Sequence, residues 1–161
     1  IGIQPNVDLA TAAGMQVDNG IVVNSSLQTS RPDVYAAGDV ANFQDNLLAI
    51  RRRVEHEDNA NRMGKAAGRA MAGASVDYDT SPMFYSDLFD LGYEAVGEID
   101  SRMQVMIDWQ QPFQKGAFYY LKDQRVRGVL LWNIWGQIDA AKALIRSGET
   151  VTPESLAGRI K

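Results

Sequence analysis

The sequence predicts an α/β segment followed by an α+β domain, which has an antiparallel sheet of about five strands and terminal helices. Apolar residues recur every three or four positions from Arg53 to Ala74, as in a helix. Aromatic and β-branched runs separated by short polar turns then fill Met83–Trp132. Because the pattern changes within the polar stretch Ser75–Pro82, we expect domains at residues 1–78 and 79–161.

The first part carries the helical elements. Ile1–Asn6 is expected to be a strand end that runs into a turn. The small residues Gly64 and Gly68 in the long helix are expected to permit a close neighbour, despite the cost of glycine in a helix. The other predicted elements are a short helix at Asn6–Gly14 capped by Asn6 or Asp8, a turn at Asp18–Gly20 leading into Ile21–Val23, and a buried strand at Val34–Ala37 that ends at Gly38 and Asp39.

The second part carries the strands. Gly148 is expected to end one helix over Gly136–Ser147, and Thr152 to cap a last helix over Pro153–Gly158. The predicted strands are Met83–Phe89, Tyr93–Ile99, Gln104–Trp109, Gly116–Lys122 and Val126–Trp132.

Composition limits the function classes. The chain has 161 residues, of which 45% are hydrophobic and 22% charged, as in an ordinary globular protein. A net charge of −4 argues against nucleic-acid binding, which needs attraction to phosphates. Cysteine is absent, so disulfides, thiolate metal sites and dithiol redox centres are excluded, and no metal site is expected. With no bilayer-spanning apolar run and no signal-like start, a cytoplasmic location is expected.

The segment from Thr29 to Asp39 carries the first candidate site. A strand ending in glycine lets backbone approach a ligand, and an acidic side chain beyond it can accept hydrogen bonds from sugar-like hydroxyls. Gly38 and Asp39 alone are more typical of an ordinary turn. The whole segment, however, resembles the second FAD motif of flavoprotein reductases with two dinucleotide domains: a threonine, a spacer, an apolar strand and Ala-x-Gly-Asp. The resemblance implies that Asp39 binds the ribityl hydroxyls of FAD, beside Thr29, Gly38 and Val40.

The second candidate site begins at three arginines, residues 51–53, whose charges oppose the dipole of the predicted helix. A solvated turn, a site for an acidic electron-transfer partner and a contact with a cofactor phosphate all fit them. His56, the single histidine, shares a helical face with Ala60 and Met63, where a packed, hydrogen-bonded role is common. The Arg-Val-Glu-His stretch resembles that of apoptosis-inducing-factor-like and monodehydroascorbate reductases, which implies that Glu55 and His56 line the hydride-transfer pocket.

The third candidate site opens the second domain. Aromatic residues on a first strand are usually core. Related reductases have Phe-Trp-Ser-Asp where this chain has Phe-Tyr-Ser-Asp, so the resemblance implies that Tyr85 covers the nicotinamide pocket. Asp87 stands where monodehydroascorbate reductases have an arginine suited to an anionic substrate, which argues against that activity.

Together these stretches resemble pyridine-nucleotide-dependent FAD oxidoreductases of the ferredoxin and rubredoxin reductase-like superfamily, and most of all the apoptosis-inducing-factor-like reductases. The resemblance implies a carboxy-terminal portion, with a remnant of the FAD-binding domain before a reductase domain. The complete protein would then pass electrons from NAD(P)H through FAD to a ferredoxin- or rubredoxin-like acceptor. Since the sequence lacks a Gly-x-Gly-x-x-Gly loop, we expect the chain alone to be inactive and to bind neither cofactor.

A different class of function is an interaction module. The chain would then form a homodimer through apolar contacts of Trp132, Trp135 and Ile138, although core packing is the expected place of at least two of them. A redox-responsive scaffold is a third alternative, implied by the resemblance to apoptosis-inducing factor.

Overall fold

A computed structural model describes residues 3–161 of the chain. The first two residues of the predicted strand end lie outside the described residues, and residues 3–6 belong to no helix or strand. The chain divides into two compact units, Ile1–Thr80 and Ser81–Lys161. The assignment of residues 1–78 to an FAD-binding domain and of residues 79–161 to a reductase domain stays a prediction.

A three-stranded sheet and two helices form the first unit. Strand β1 runs parallel to β2, and β2 runs antiparallel to β3, in the order β1-β2-β3. A buried ion pair between Asp45 and Arg52 ties β2 to β3. The elements are α1 (Asp8–Ala12), β1 (Ile21–Val22), a 3-10 turn (Gly38–Val40), β2 (Ala41–Asp45), β3 (Ile50–Arg52) and α2 (Glu57–Met71).

The predicted strand at Val34–Ala37 is wrong. Tyr35 makes a single isolated bridge to Gln28, and the backbone N–H of Ala36 donates to the carbonyl oxygen of Leu27 over 3.1 Å. The segment forms no ladder because β1 pairs instead with β2, which begins directly after the Gly38–Val40 turn. The strand therefore follows the glycine-aspartate pair and does not precede it.

Both helices of the first unit are shorter than predicted. Helix α1 starts at Asp8, whose N–H lies 3.4 Å from Oδ1 of Asn6. Helix α2 starts at Glu57, four residues after the predicted start at Arg53, and buries Asn59, Met63 and Ala67. Because α2 ends at Met71, the predicted packing of Met71 and Ala74 is wrong, and both are exposed.

The expectation that the helical glycines permit a close neighbour is also wrong. A Cβ added at Gly64 or Gly68 would meet no atom within 4 Å outside the helix's own backbone. Both glycines lie on the exposed face of α2. They cost helix stability without a packing gain.

The second unit confirms the predicted five-stranded antiparallel sheet. Its strand order is β4-β5-β8-β7-β6, and every neighbouring pair is antiparallel. Tyr119, Val129 and Leu131 are fully buried on one face of the sheet. The strands are β4 (Met83–Leu88), β5 (Leu91–Gly97), β6 (Gln104–Gln111), β7 (Lys115–Lys122) and β8 (Arg125–Trp132).

Two helices close the second unit. Helix α3 (Ile138–Ser147) packs against β5 and β8, and it ends at Gly148 in the left-handed conformation, as predicted. Helix α4 (Pro153–Leu156) begins with a capping box between Thr152 and Ser155, which confirms the predicted cap. Within residues 3–161, none of the helices combines the length and apolarity needed to cross a bilayer.

Candidate functional site

The Gly38–Val40 turn presents an acidic side chain on the surface of the first unit. Gly38 has a φ of +75°, and a Cβ added to it would lie 3.3 Å from Cβ of Ala60 in the first turn of α2. The missing side chain therefore lets the turn contact the helix. Asp39 is exposed, and Val40 is half-buried where the turn joins β2.

Arg53 connects this turn to the segment before α2. Its Nη1 donates to the carbonyl oxygen of Asp39 over 2.6 Å, and its Nη2 lies 2.7 Å from Oε1 of Glu55. Its Nε lies 3.4 Å from Oδ1 of Asn19. The Arg53 side chain is only 8% exposed, whereas that of Glu55 is 36% exposed. One buried guanidinium thus joins two of the predicted site residues.

The arginine triplet lies on β3 and just beyond it, four or more residues before the first residue of α2, so its predicted position at the helix amino end is wrong. Arg51 donates through Nη2 to the carbonyl oxygens of Val23, at 2.7 Å, and Asn42, at 2.6 Å. Arg52 pairs with buried Asp45. Since each guanidinium is engaged within the first unit, the interpretation of the triplet as a freely solvated turn is wrong.

His56 is the N-cap of α2. Its Nδ1 accepts a hydrogen bond from the backbone N–H of Asp58 over 3.3 Å. The predicted helical face shared with Ala60 and Met63 is wrong, because His56 has an extended backbone outside the helix. Arg53 contacts both Asp39 and Glu55, and His56 follows Glu55 directly in sequence. The segment that contains Glu55 and His56 therefore lies beside the Asp39 turn.

Thr29 is buried and serves its own loop. Its Oγ1 accepts from the N–H of Arg31 over 3.1 Å and lies 3.2 Å from the carbonyl oxygen of the same residue. Its N–H donates to the carbonyl oxygen of Val34 over 2.8 Å. These contacts give Thr29 a role in shaping the loop that leads to Gly38 and Asp39.

Tyr85 belongs to the second unit. It lies on the edge strand β4 opposite Glu94 of β5, and it is 49% exposed. About half of its surface is therefore exposed on that unit. The first unit brings five of the predicted site residues together around the turn and the start of α2: Gly38, Asp39, Val40, Glu55 and His56. Tyr85 belongs to the second unit and is not part of this group.

The turn presents a hydrogen-bond acceptor that hydroxyl groups of a ligand could reach. Asp39 offers an exposed carboxylate, which only accepts hydrogen bonds, whereas the carboxylates of Glu55 and Asp58 are paired with Arg53 and Arg62. Such an exposed acceptor suits hydroxyl donors. Among residues 3–161, no group of three or more metal-ligating side chains is placed to hold a metal ion.

Sequence reasoning missed the role of Arg53 and of Gly20. Gly20 is buried, and a Cβ there would overlap Cδ of Arg53 and lie 2.6 Å from the carbonyl oxygen of Val40. One available signal was the spacing of Arg53 and Glu55, because residues i and i+2 of an extended chain lie on the same side. No local signal indicated the contact with Asp39, which is fourteen residues away in sequence.

Two family models match the chain. Residues 1–64 match pyridine nucleotide-disulphide oxidoreductase. Residues 67–112 and 106–147 match the C-terminal region of apoptosis-inducing factor, mitochondrion-associated. The boundary between the two matches falls within α2.

Similar proteins agree with these models. Apoptosis-inducing factor 1, mitochondrial, of Dictyostelium discoideum is 38% identical over 93% of this chain and 31% of its own length. Putidaredoxin reductase of Pseudomonas putida is 32% identical over 97% of this chain and 37% of its own length. The chain thus spans about a third of the curated relatives that it matches.

Solved structures support the same assignment. The covalent putidaredoxin reductase-putidaredoxin complex matches with a TM-score of 0.81 and 32% identity, over 98% of this chain and 38% of that chain. The ferredoxin reductase for the CYP199A2 system from Rhodopseudomonas palustris matches with a TM-score of 0.77 and 29% identity, over 96% and 38%. The chain therefore belongs to the pyridine-nucleotide-dependent FAD oxidoreductases, in the branch that contains the apoptosis-inducing factors and the ferredoxin reductases.

Proposed function

We propose that the chain acts as the carboxy-terminal part of a complete NAD(P)H-dependent FAD oxidoreductase. When bound, FAD would supply the redox chemistry, taking hydride from NAD(P)H and passing electrons to an acceptor. Residues of this chain would position the cofactor. Asp39 would accept hydrogen bonds from the ribityl hydroxyls, beside Gly38 and Val40, while Thr29 shapes the loop that carries them. Glu55 and His56 would border the ring, and Tyr85 would cover the nicotinamide.

The joining of the Asp39 turn to Glu55 by Arg53 carries this proposal. Asp39, whose exposed carboxylate would accept hydrogen bonds from hydroxyl groups, and Glu55, which would border the flavin ring, are held next to each other by the buried side chain of Arg53. The pyrophosphate needs a different environment, namely N–H groups of a glycine-rich loop at a helix amino end. The sequence contains no Gly-x-Gly-x-x-Gly loop. We therefore propose that the chain alone binds neither FAD nor NAD(P)H and has no activity.

The proposed acceptor is a small ferredoxin- or rubredoxin-like protein. Support comes from the likeness to a reductase that was solved in complex with putidaredoxin. The cytoplasmic location stays a prediction, since the relatives include bacterial reductases and proteins named as mitochondrial.

The anchoring role is tested by Asp39→Ala in the complete protein. We expect FAD affinity to fall about tenfold or more, because hydrogen bonds to a charged acceptor contribute roughly 1.5–3 kcal/mol. Asp77→Ala removes another exposed carboxylate of the same unit and is the matched control. Flavin fluorescence on titration with FAD gives both dissociation constants. If Asp39→Ala binds FAD as tightly as the control does, Asp39 is not the anchor.

A non-catalytic dimerisation module, or a redox-responsive scaffold, is the second proposal. Trp135 supports it, because it is 51% exposed beyond the end of β8. Ile138 is buried in α3, and Trp132 is half-buried with its ring stacked on Tyr93, so neither offers the contact area that Trp135 offers. Light scattering with and without NADH separates the proposals. A monomer at all concentrations in both redox states would rule out the dimer.

A further inference from the structure

We propose that Arg53 is a positioning residue that sets the placement of Asp39 and Glu55 together. This inference rests on the proposed FAD-binding role of the site. It assigns to one side chain the link between the group that anchors the cofactor and the group that borders its reactive ring.

The bonding pattern of Arg53 separates positioning from ligand binding. Nη1 contacts the backbone carbonyl oxygen of Asp39, so the Asp39 carboxylate stays exposed and available for a ligand. Nη2 contacts only one oxygen of Glu55, whose side chain is partly exposed. Arg53 thus fixes both residues and leaves a polar surface on each.

Only a guanidinium can make this arrangement. Its planar fork directs several N–H donors at fixed angles, whereas a lysine ammonium is a point charge on a flexible stem. Three donors of Arg53 reach three residues: Asp39, Glu55 and Asn19. A lysine at this position would retain the positive charge and one of the two short contacts.

The stem of Arg53 is also enclosed. The Cα of Gly20 lies so close that an added Cβ would overlap Cδ of Arg53 and approach Cγ to 3.0 Å. The same Cβ would crowd the carbonyl oxygen of Val40, at 2.6 Å. The absence of a side chain at Gly20 therefore leaves the room that the Arg53 stem occupies beside the Asp39 turn.

The experiment compares Arg53→Gln and Arg53→Lys with Arg62→Gln in the complete protein. Arg62 also contacts a carboxylate, that of Asp58 at 2.7 Å, but it lies on the exposed surface of α2. Three quantities are measured: the FAD dissociation constant, the visible circular dichroism of the bound flavin, and hydrogen exchange of residues 38–42 without flavin. Hydrogen exchange reports directly on the turn, because the N–H of Ala41 donates to the carbonyl oxygen of Gly38.

We expect Arg53→Gln to weaken FAD binding by about tenfold or more, since it removes hydrogen bonds that involve a charged group. It should also change the flavin dichroism and accelerate exchange in residues 38–42. Arg53→Lys should fall between wild type and Arg53→Gln in all three measurements, and Arg62→Gln should match wild type.

Unchanged exchange and unchanged FAD affinity in Arg53→Gln would overturn the inference. If Arg53→Gln does not fold, Arg53→Lys decides in its place, and wild-type values in all three measurements would overturn the inference equally. A wild-type protein that binds no FAD would contradict the proposed function instead, and that result is obtained before any variant is compared.

Discussion

The hydroxyl of Tyr78 donates a hydrogen bond to Oδ1 of Asn59 over 3.0 Å, and both side chains are buried. Asn59 lies on the inner face of α2, and its Nδ2 lies 3.2 Å from the carbonyl oxygen of Val54. The amide group of one side chain therefore links the helix to the segment before it and to the segment after it. This link stabilises the helix whose first turn contacts Gly38.

Removal of the Tyr78 hydroxyl should destabilise the protein. Tyr78→Phe leaves Oδ1 of Asn59 buried without its donor, which costs about 1–3 kcal/mol. Tyr35→Phe is the matched control, because Tyr35 is only half-buried and its change should stay within about 0.5 kcal/mol. Urea unfolding gives both free energies, and equal values for the two variants would contradict the role of this bond.

Alkaline pH should destabilise the fold through its buried tyrosines. Burial raises the pKa of Tyr78 to about 12 and that of Tyr119 to about 12. The unfolded chain releases these protons near pH 10, so the folded chain holds them more tightly. This stabilisation is fully present below about pH 10 and is lost as the pH rises towards 12.

The pH effect is checked by chemical unfolding between pH 8 and 12. The free energy of unfolding should fall more steeply above pH 10 in wild type than in Tyr78→Phe, which has one fewer buried phenol. Parallel curves for the two proteins would show that ionisation of Tyr78 does not contribute.

Replacement of His56, the N-cap residue of α2, should be tolerated for asparagine but not for alanine. Since His56 accepts the N–H of Asp58, His56→Ala leaves that donor without its cap and should cost about 1 kcal/mol. His56→Asn retains a side-chain acceptor at the N-cap and should recover most of this loss. Thermal and urea unfolding of the two variants measure the difference. A loss of the same size in both would mean that His56 stabilises the helix through other contacts.

The second unit was predictable from sequence because its signals are local. Along β7, buried Ala117, Tyr119 and Leu121 alternate with the half-buried Phe118 and Tyr120, and polar turns separate this strand from the next. Gly148 and Thr152 are local signals of the same kind, for a helix end and a helix start. All five strands and both helices lie within a few residues of their predicted bounds.

The first unit was harder to predict because long-range contacts determine it. Val34–Ala37 has the composition of a buried strand, yet the parallel partner of β1 lies beyond the Gly38–Val40 turn. The charges of Arg51 and Arg52 suggested solvent or a partner, whereas the fold brings them to carbonyl groups and to Asp45. Apolar periodicity placed His56 inside a helix that its own side chain caps.

The close pairing of Gly97 and Gly128 across β5 and β8 should be intolerant of any side chain. A Cβ on Gly128 would overlap the carbonyl oxygen of Glu98 and lie 2.7 Å from its carbonyl carbon, and backbone atoms cannot move away cheaply. Gly128→Ala should therefore destabilise the second unit by about 2–3 kcal/mol or more, as overpacking does.

Gly64→Ala provides the matched control for this substitution, because a Cβ there meets nothing within 4 Å and the position is helical. That change should stabilise the protein by about 0.5–1 kcal/mol, since alanine is the better helix former. The two substitutions are chemically identical, so opposite signs in urea unfolding would show that the backbone approach at Gly128 determines the effect. If Gly128→Ala unfolds at the wild-type urea concentration, the strands have room to separate, and the pairing does not require glycine.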